Sequence, residues 1–104
     1  MPLMEISIVP LGTGTASVSK YVAEAIEVLK IEEDIKYEMT PMGTLIEATS
    51  VGKLLDIAEK MHNRVLTGDI KRVVTTIKID DRRDKKLTMR GKLKSVEEKL
   101  GVRK

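Results

Sequence analysis

The sequence predicts an α+β fold in which two helices cover one face of a four-stranded antiparallel sheet, with a further helix at the C-terminal end. Segments of alternating polarity and segments with apolar residues at helical spacing follow one another in the order β-α-β-β-α-β-α. The chain has 104 residues, of which 41% are hydrophobic and 34% charged, a composition typical of a folded domain with one core. We therefore expect a single domain over residues 1–104.

The first strand and the first helix are separated by a glycine-rich loop. Residues 3–9 alternate between apolar and polar side chains, and we expect Pro10 to end this strand. After the loop 11–16, Ser17 is a candidate N-cap, because its hydroxyl can accept hydrogen bonds from the free amides of a first helical turn. The helix is expected to run to about Ile31. Its apolar stripe consists of Val18, Val22, Ala25, Ile26 and Leu29.

A β-hairpin is predicted next. Residues 35–40 alternate strictly and residues 44–49 form the returning strand. The Pro-Met-Gly sequence at 41–43 predicts a tight turn in which Gly43 can adopt a positive φ.

The second half of the chain repeats the helix–strand order. Ser50 is expected to cap a helix of about 51–67, and Gly68 to end it in the left-handed conformation. Residues 71–79 are rich in β-branched side chains and predict the last strand. A short terminal helix over 92–100 is expected next, within a terminal helix and basic tail over 92–104. Its two strong apolar anchors are Val96 and Leu100.

This order of elements is that of the ferredoxin-like fold, in which two strand–helix–strand units share a central hairpin. Right-handed crossovers place both of these helices on one face of the sheet. The alternation assigns to that face Ile6, Ile8, Tyr37, Met39, Ile46, Ala48, Val73 and Ile77. It assigns to the opposite face Glu5, Ser7, Val9, Lys36, Glu38, Leu45, Glu47, Val74, Thr76 and Lys78. Because branched apolar residues are mixed with charges there, we expect a second subunit to cover part of the opposite face.

The composition argues against several functional classes. Absence of cysteine excludes disulfides, zinc ribbons, iron–sulfur clusters and thiol catalysis. The single histidine, His62, argues against a histidine metal site or a Ser-His-Asp triad, so we expect no enzyme activity, no metal and no cofactor. No apolar run is long enough to span a bilayer and no secretory signal is evident, which predicts a cytoplasmic protein. The lack of glutamine and the abundance of Lys, Glu, Ile and Val are typical of thermophilic proteins.

The net charge of +3 is unevenly distributed, since residues 80–104 hold ten Lys and Arg against five Asp and Glu. A basic segment can attract nucleic acid, but Tyr21 and Tyr37 are the only aromatic residues, so we expect no specific nucleic-acid binding. Basic residues interleave with the acidic residues of segment 80–86, which predicts a salt-bridged turn rather than a metal site.

The loop Gly12–Ser17 is a first candidate for chemistry. It joins a strand to a helix N-terminus, where backbone amides and the helix dipole attract anions. No Gly-Lys-Ser or Gly-Lys-Thr follows, so it is not a Walker loop, and a flexible capped loop is the alternative interpretation. The candidate anion ligands are Thr13, Gly14, Thr15 and Arg72.

Glu47 is a second candidate, because it places a carboxylate in the middle of a predicted strand. A buried carboxylate needs a hydrogen-bond donor or a cation. Two interpretations remain open: an ion pair with Lys36, Lys78 or Arg72, or a carboxylate that binds a ligand.

Four ordered runs, at 9–14, 19–23, 41–47 and 72–85, make the chain similar to the thiamine-binding-protein-like family of archaea, bacteria and yeast. The resemblance implies a ferredoxin-like subunit that forms dimers through sheet edges and tetramers through sheet faces. It also implies binding of thiamine or its pyrimidine part without known catalysis. Family members usually have glycine after the glutamate of the Pro-Met-Gly-Thr-x-x-Glu motif, whereas this chain has Ala48.

The resemblance and the residues together predict a non-catalytic, oligomeric binding protein for thiamine or a related aminopyrimidine, with a homotetramer as the expected assembly. Glu47 would accept a hydrogen bond from the amino group or balance the thiazolium charge. The other candidate ligand-binding residues are Thr44, Gly43, Tyr37, Met39, Pro10, Gly12 and Ser17. The alternative is a regulatory or scaffold oligomer that binds phosphate or sulfate at the Gly12–Ser17 loop or near Arg72.

Overall fold

The computed structural model describes residues 1–84 and 88–101. Its elements are β1 (Leu3–Leu11), α1 (Ser19–Lys30), β2 (Lys36–Thr40), β3 (Gly43–Glu47), α2 (Val51–Val65), β4 (Arg72–Asp80) and α3 (Met89–Leu100). The strands form one sheet in the order β2-β3-β1-β4, and every neighbouring pair is antiparallel. The predicted α+β, ferredoxin-like arrangement is confirmed.

The hydrophobic core lies between the sheet and the helices α1 and α2. It consists of Met4, Ile6, Ala25, Ile26, Leu29, Ile46, Ala48, Leu54, Ile57, Ala58, Met61 and Val65. We call the side of the sheet that carries Met4, Ile6 and Ile46 the inner face, and the side that carries Leu3, Glu5 and Leu45 the outer face. The strand register gives every strand residue of the two predicted sets its expected face.

β1 does not end at Pro10 as predicted. It continues to Leu11, with Pro10 opposite Val73 of β4. β3 pairs with β1 no further than Ile6, so the last part of β1 has a partner strand on one side only. A strand with one antiparallel neighbour directs alternate N–H groups away from that neighbour, and proline is tolerated at such a position.

The two serines predicted to cap helices behave differently. Ser50 caps α2, since its Oγ accepts a hydrogen bond of 3.0 Å from the amide of Lys53. The predicted cap of α1 is wrong: the N-cap is Val18, and no side chain caps that helix. The hydroxyl of Ser17 instead lies 3.4 Å from the hydroxyl of Ser19.

Two glycines have roles that differ from the predicted ones. Gly43 is not among the glycines with positive φ; a Cβ atom there would lie 3.0 Å from the carbonyl oxygen of Ile6, so glycine permits the close approach of β3 to β1. Gly68 does have a positive φ of 59°, but α2 already ends at Val65, three residues earlier. The capping amide at the end of α2 belongs to Leu66.

α3 begins earlier than predicted, and its predicted apolar anchors are more exposed than expected. It starts at Met89, after Thr88 accepts a hydrogen bond of 2.9 Å from the amide of Gly91. The predicted anchors Val96 and Leu100 are 55% and 73% exposed, so they do not fasten the helix to its own chain. Of the predicted basic tail, residues 102–104 lie outside the described residues, as do residues 85–87.

An ion-pair network ties the segment that follows α1 to α2. The carboxylate of Glu32 accepts hydrogen bonds of 2.8 Å from the Nζ of Lys53 and 2.9 Å from the Nζ of Lys60. The side chain of Glu32 is 8% exposed, which limits screening by solvent. These bonds, the one from Lys53 first, lower the pKa of the Glu32 carboxyl.

The contrast between the two serines gives a first prediction. Ser50→Ala removes an N-cap hydrogen bond and should lower the free energy of unfolding by about 1 kcal/mol. Ser17→Ala is the matched control, since it removes an exposed hydroxyl that caps nothing, and the change should stay within about 0.5 kcal/mol. Urea unfolding followed by circular dichroism measures both. Equal losses in the two variants would contradict the cap assignment.

The Glu32 network predicts a dependence of stability on pH. Because the pKa of Glu32 is lowered in the folded state, its contribution is present above the ordinary carboxyl value and is lost as the pH falls through the folded-state value. Glu32→Gln should therefore be less stable than the parent at neutral pH, and the difference should shrink on acidification to about pH 2.5. Glu59→Gln, at an exposed position of α2, is the control. A gap between parent and Glu32→Gln that is independent of pH would refute the electrostatic origin.

Candidate functional site

A cavity of about 450 Å³ lies between the outer face and α3, and we call it the outer cavity. Its lining residues are Leu3, Met4, Glu5, Glu38, Thr40, Leu45, Lys78, Asp80, Met89, Lys92 and Leu93. Leu3 and Leu45 contribute apolar surface from the sheet, and Met89 and Leu93 contribute it from the helix. The cavity thus offers two apolar walls to a flat molecule.

Charged groups surround these apolar walls. Glu38, Leu45, Glu5 and Lys78 lie side by side in one row across the four strands. Asp80 forms an ion pair with Lys92 of α3, so that acid and that base largely neutralise each other. The remaining lining charges are two carboxylates, Glu5 and Glu38, against one ammonium group, Lys78. The outer cavity therefore carries an excess of negative charge, which favours a cationic ligand.

Glu47 lies on the outer face in the row next to the cavity. In that row it has Lys36 on one side and Leu3 on the other. Two of the lining residues are its neighbours, because Leu3 is directly opposite and Leu45 is two residues away along β3, about 6.6 Å. The side chain is 3% exposed, and its Oε1 atom is buried without a hydrogen-bond partner.

The ion-pair interpretation of Glu47 finds no support among residues 1–84 and 88–101. Lys36 is directly opposite but forms no salt bridge with Glu47. Arg72 pairs with Leu11 at the far end of β1, eight residues from Leu3 and thus about 26 Å away. A buried carboxylate oxygen without a donor destabilises a protein, so its presence requires an explanation outside the isolated fold.

A second cavity, of about 270 Å³, opens on the inner face between the β2–β3 hairpin, β1 and α1, and we call it the inner groove. Its lining residues are Ile6, Ser7, Ile8, Val9, Val18, Val22, Ala25, Met39, Thr40, Pro41, Met42, Gly43, Thr44 and Met61. None of these residues is charged. Three residues of the predicted ligand site, Met39, Gly43 and Thr44, are here.

The structure does not bring the predicted ligand-binding residues together. Strand alternation puts Glu47 on the outer face, whereas Tyr37, Met39 and Thr44 are on the inner face. Tyr37 is 37% exposed and lines neither cavity. Four further members line neither cavity: Glu47 itself, Pro10 within β1, and Gly12 and Ser17, which are exposed in the following loop.

Ala48, which replaces the usual family glycine, is fully buried in the core and lines neither cavity. Its methyl group therefore fills core space rather than narrowing one of these pockets.

The predicted anion loop satisfies much of its own hydrogen-bonding capacity. The hydroxyl of Thr13 donates to the carbonyl of Thr15 at 2.7 Å, and the hydroxyl of Thr15 accepts from the amide of Ser17 at 3.2 Å. Gly14 has a positive φ of 77°, which helps the loop to turn back on itself. Arg72 is near this loop, since it pairs with the residue that precedes Gly12.

Other candidate groups have structural partners. His62 Nδ1 lies 2.7 Å from the hydroxyl of Thr75, which links α2 to β4. In the turn after β4, Arg83 pairs with Asp81 and Arg82 pairs with Asp84, as predicted for a salt-bridged turn. The described part of the chain contains no cluster of three acidic or histidine side chains that could hold a metal ion, and no helix there could span a membrane.

Sequence reasoning did not assign several outer-cavity residues to a site. Glu5, Glu38 and Lys78 were correctly placed on the outer face, and the register of the hairpin could have shown that Glu38 is opposite Leu45. The position of Glu5 beside Leu45 depends on the pairing of β1 with β3. The contributions of Met89 and Leu93 depend on where α3 packs, and no sequence pattern shows that.

Comparison with known proteins supplies the family. The model of the thiamine-binding protein family matches residues 4–97. A UPF0045 protein of Methanothermobacter thermautotrophicus is 45% identical over 96 residues, which make up 92% of this chain and 96% of the relative. The UPF0045 protein YqgV of Bacillus subtilis is 42% identical over 103 residues, 96% of this chain and 98% of the relative.

A solved structure supports the same fold. A hypothetical protein from Methanocaldococcus jannaschii superposes with a TM-score of 0.83 at 45% identity, covering 93% of this chain and 96% of its own. Family match, sequence identity and fold coincide over nearly the same span of residues. The chain belongs to the thiamine-binding protein family.

Proposed function

We propose that this protein is a non-catalytic binding protein for thiamine or a related aminopyrimidine, and that the ligand occupies the outer cavity beside Glu47. The observation that carries the proposal is the buried, unpartnered Oε1 atom of Glu47. Glu47 does not itself line the cavity, so an amino group of the ligand would have to reach past Leu3 or Leu45 to give this oxygen the donor that the described part of the chain does not provide.

The chemistry of thiamine matches the outer cavity in two respects. Its aminopyrimidine ring presents an amino donor, which Glu47 is suited to accept. Its thiazolium ring is a cation, and Glu5 and Glu38 supply the negative charge that such a ring requires in a partly desolvated site. The apolar surfaces of Leu45 and Leu93 would contact the ring faces.

Self-association is the second part of the proposal. Val9 and Val74 are directly opposite each other on the outer face and are 40% and 47% exposed. Leu93, Val96 and Leu100 of α3 are also exposed. A homotetramer formed through sheet faces is the assembly that we expect. It would cover the exposed apolar side chains of the outer face and of α3.

A regulatory or scaffold oligomer that binds phosphate or sulfate remains the second candidate. The proximity of Arg72 to the Gly12–Ser17 loop favours it. The mutual hydrogen bonds of Thr13, Thr15 and Ser17 leave fewer loop groups free to hold an anion, so we prefer the outer cavity. An enzyme is the weakest alternative, since neither cavity lining combines a nucleophile with a histidine base.

Glu47→Gln tests the ligand assignment. The substitution keeps the size of the side chain and removes a buried charge. The urea concentration at the midpoint of unfolding should therefore be at least as high for the variant as for the parent. A lost charge-assisted hydrogen bond of about 1.5–3 kcal/mol should weaken thiamine binding about ten- to a hundredfold. Isothermal titration calorimetry with thiamine measures the affinity.

The control for this experiment is Glu33→Gln, at an exposed position between α1 and β2, which should leave both stability and affinity unchanged. A Glu47→Gln protein that is less stable than the parent and binds thiamine with parental affinity would end the assignment of Glu47 to the site.

Light scattering tests the assembly. The parent should have four times the 11.6 kDa mass of the chain. Val74→Asp places a charge in the exposed apolar part of the outer face and should reduce this mass, whereas Glu33→Gln should not. A parent that stays at 11.6 kDa at micromolar concentration would refute self-association.

A further inference from the structure

The two walls of the outer cavity differ in how firmly they are fixed to the core. The sheet wall is rigid, because Leu3 is 7% exposed and belongs to a strand with two neighbours. α3 is the other wall, and no residue of this helix is buried, whereas α1 buries three residues and α2 buries five. Leu93, which lines the cavity, is still 59% exposed. The apolar area that holds α3 on the sheet is therefore small.

An ion pair at the edge of the cavity supplies the polar contact between α3 and the sheet. The Nζ of Lys92 donates to the carboxylate of Asp80, at the end of β4, and both residues line the cavity. Their side chains are 50% and 45% exposed, so water and salt screen the attraction. Exposed ion pairs of this kind contribute little to stability. This contact also holds α3 only weakly.

The length of α3 couples its attachment to its folding. The helix has 12 residues, and isolated helices of about that length are marginal in water. Gly91 in its first turn lowers the helix propensity further. When α3 leaves the sheet, its internal hydrogen bonds should therefore open as well, and amide exchange reports the event.

We propose that α3 is a movable wall of the outer cavity, which opens by local unfolding in the ligand-free protein and is closed by a bound ligand. A ligand that fills the cavity contacts the sheet and Leu93 together, and so binds the closed state preferentially. The closing step rests on the proposed function, because thiamine is the ligand expected there. The opening of the ligand-free protein does not depend on it.

Hydrogen–deuterium exchange of the full chain without ligand tests the opening. The amides of α3 should exchange on the order of a hundredfold faster than those of α2, relative to their rates in an unfolded chain. This ratio should not change when the protein is diluted. Equal protection of α3 and α2 would overturn the proposal, and so would protection of α3 that rises with protein concentration, since a second copy would then hold the helix.

Two matched pairs of variants test which contacts hold α3. Lys92→Met should accelerate the exchange of α3 about two- to fivefold, whereas Lys94→Met, at an exposed position outside the cavity lining, should not. Leu93→Ala should accelerate it about fivefold, whereas Leu100→Ala, 73% exposed and outside the lining, should have little effect.

A double variant separates loss of the ion pair from a general disturbance of the helix. Asp80→Asn added to Lys92→Met should cause little further acceleration, because the ion pair is already absent. Fully additive effects, or equal rates within each matched pair, would contradict the assigned contacts and overturn the proposal.

Thiamine tests the closing step. At a hundred times its dissociation constant it should slow the exchange of α3 by about a hundredfold if it binds the closed state alone. Thiamine that binds in a calorimeter and leaves the exchange of α3 unchanged would overturn the closing step and preserve the proposed function. Absence of binding heat would refute the proposed function together with the closing step, and the opening is then decided by the ligand-free exchange rates.

Discussion

The position of β1 between β3 and β4 is the constraint on which the rest of the structure depends. Met4 and Ile6 extend from β1 into the core under both helices, while Leu3 and Glu5 extend to the other side. Since side chains of a strand alternate with a period of two, this single strand fixes the content of both faces. A slip of one residue would bring Glu5 into the core, so the register is strongly determined.

The separation of the two faces explains why the molecule offers two chemically different cavities. The inner groove is a gap at the edge of the apolar core, and it inherits the uncharged character of that core. The outer cavity lies on a face that carries charged residues in every strand, with α3 as its second wall. A charged group would therefore be desolvated without compensation in the inner groove, whereas the outer cavity offers charged side chains beside its apolar walls.

Glu47 is a residue whose burial opposes folding. Its carboxylate is 3% exposed in the sheet, where a leucine or valine would be more stabilising. Nothing within the described chain compensates Oε1. Sites that bind ligands commonly contain such groups, because a hydrogen bond donated by the ligand then contributes more free energy to binding than the same bond would in water.

The sequence by itself determined the order of elements, the two faces of the sheet and the cap at Ser50, because these depend on local alternation, helical spacing and one side-chain hydrogen bond. It also identified Glu47 as an unusual residue. Only the tertiary structure decided that Thr44 lines the inner groove whereas Glu47 lines neither cavity, that Gly43 serves close strand approach, and that α3 forms a wall with Leu93. Those features depend on contacts between residues distant in sequence, and local patterns carry no information about them.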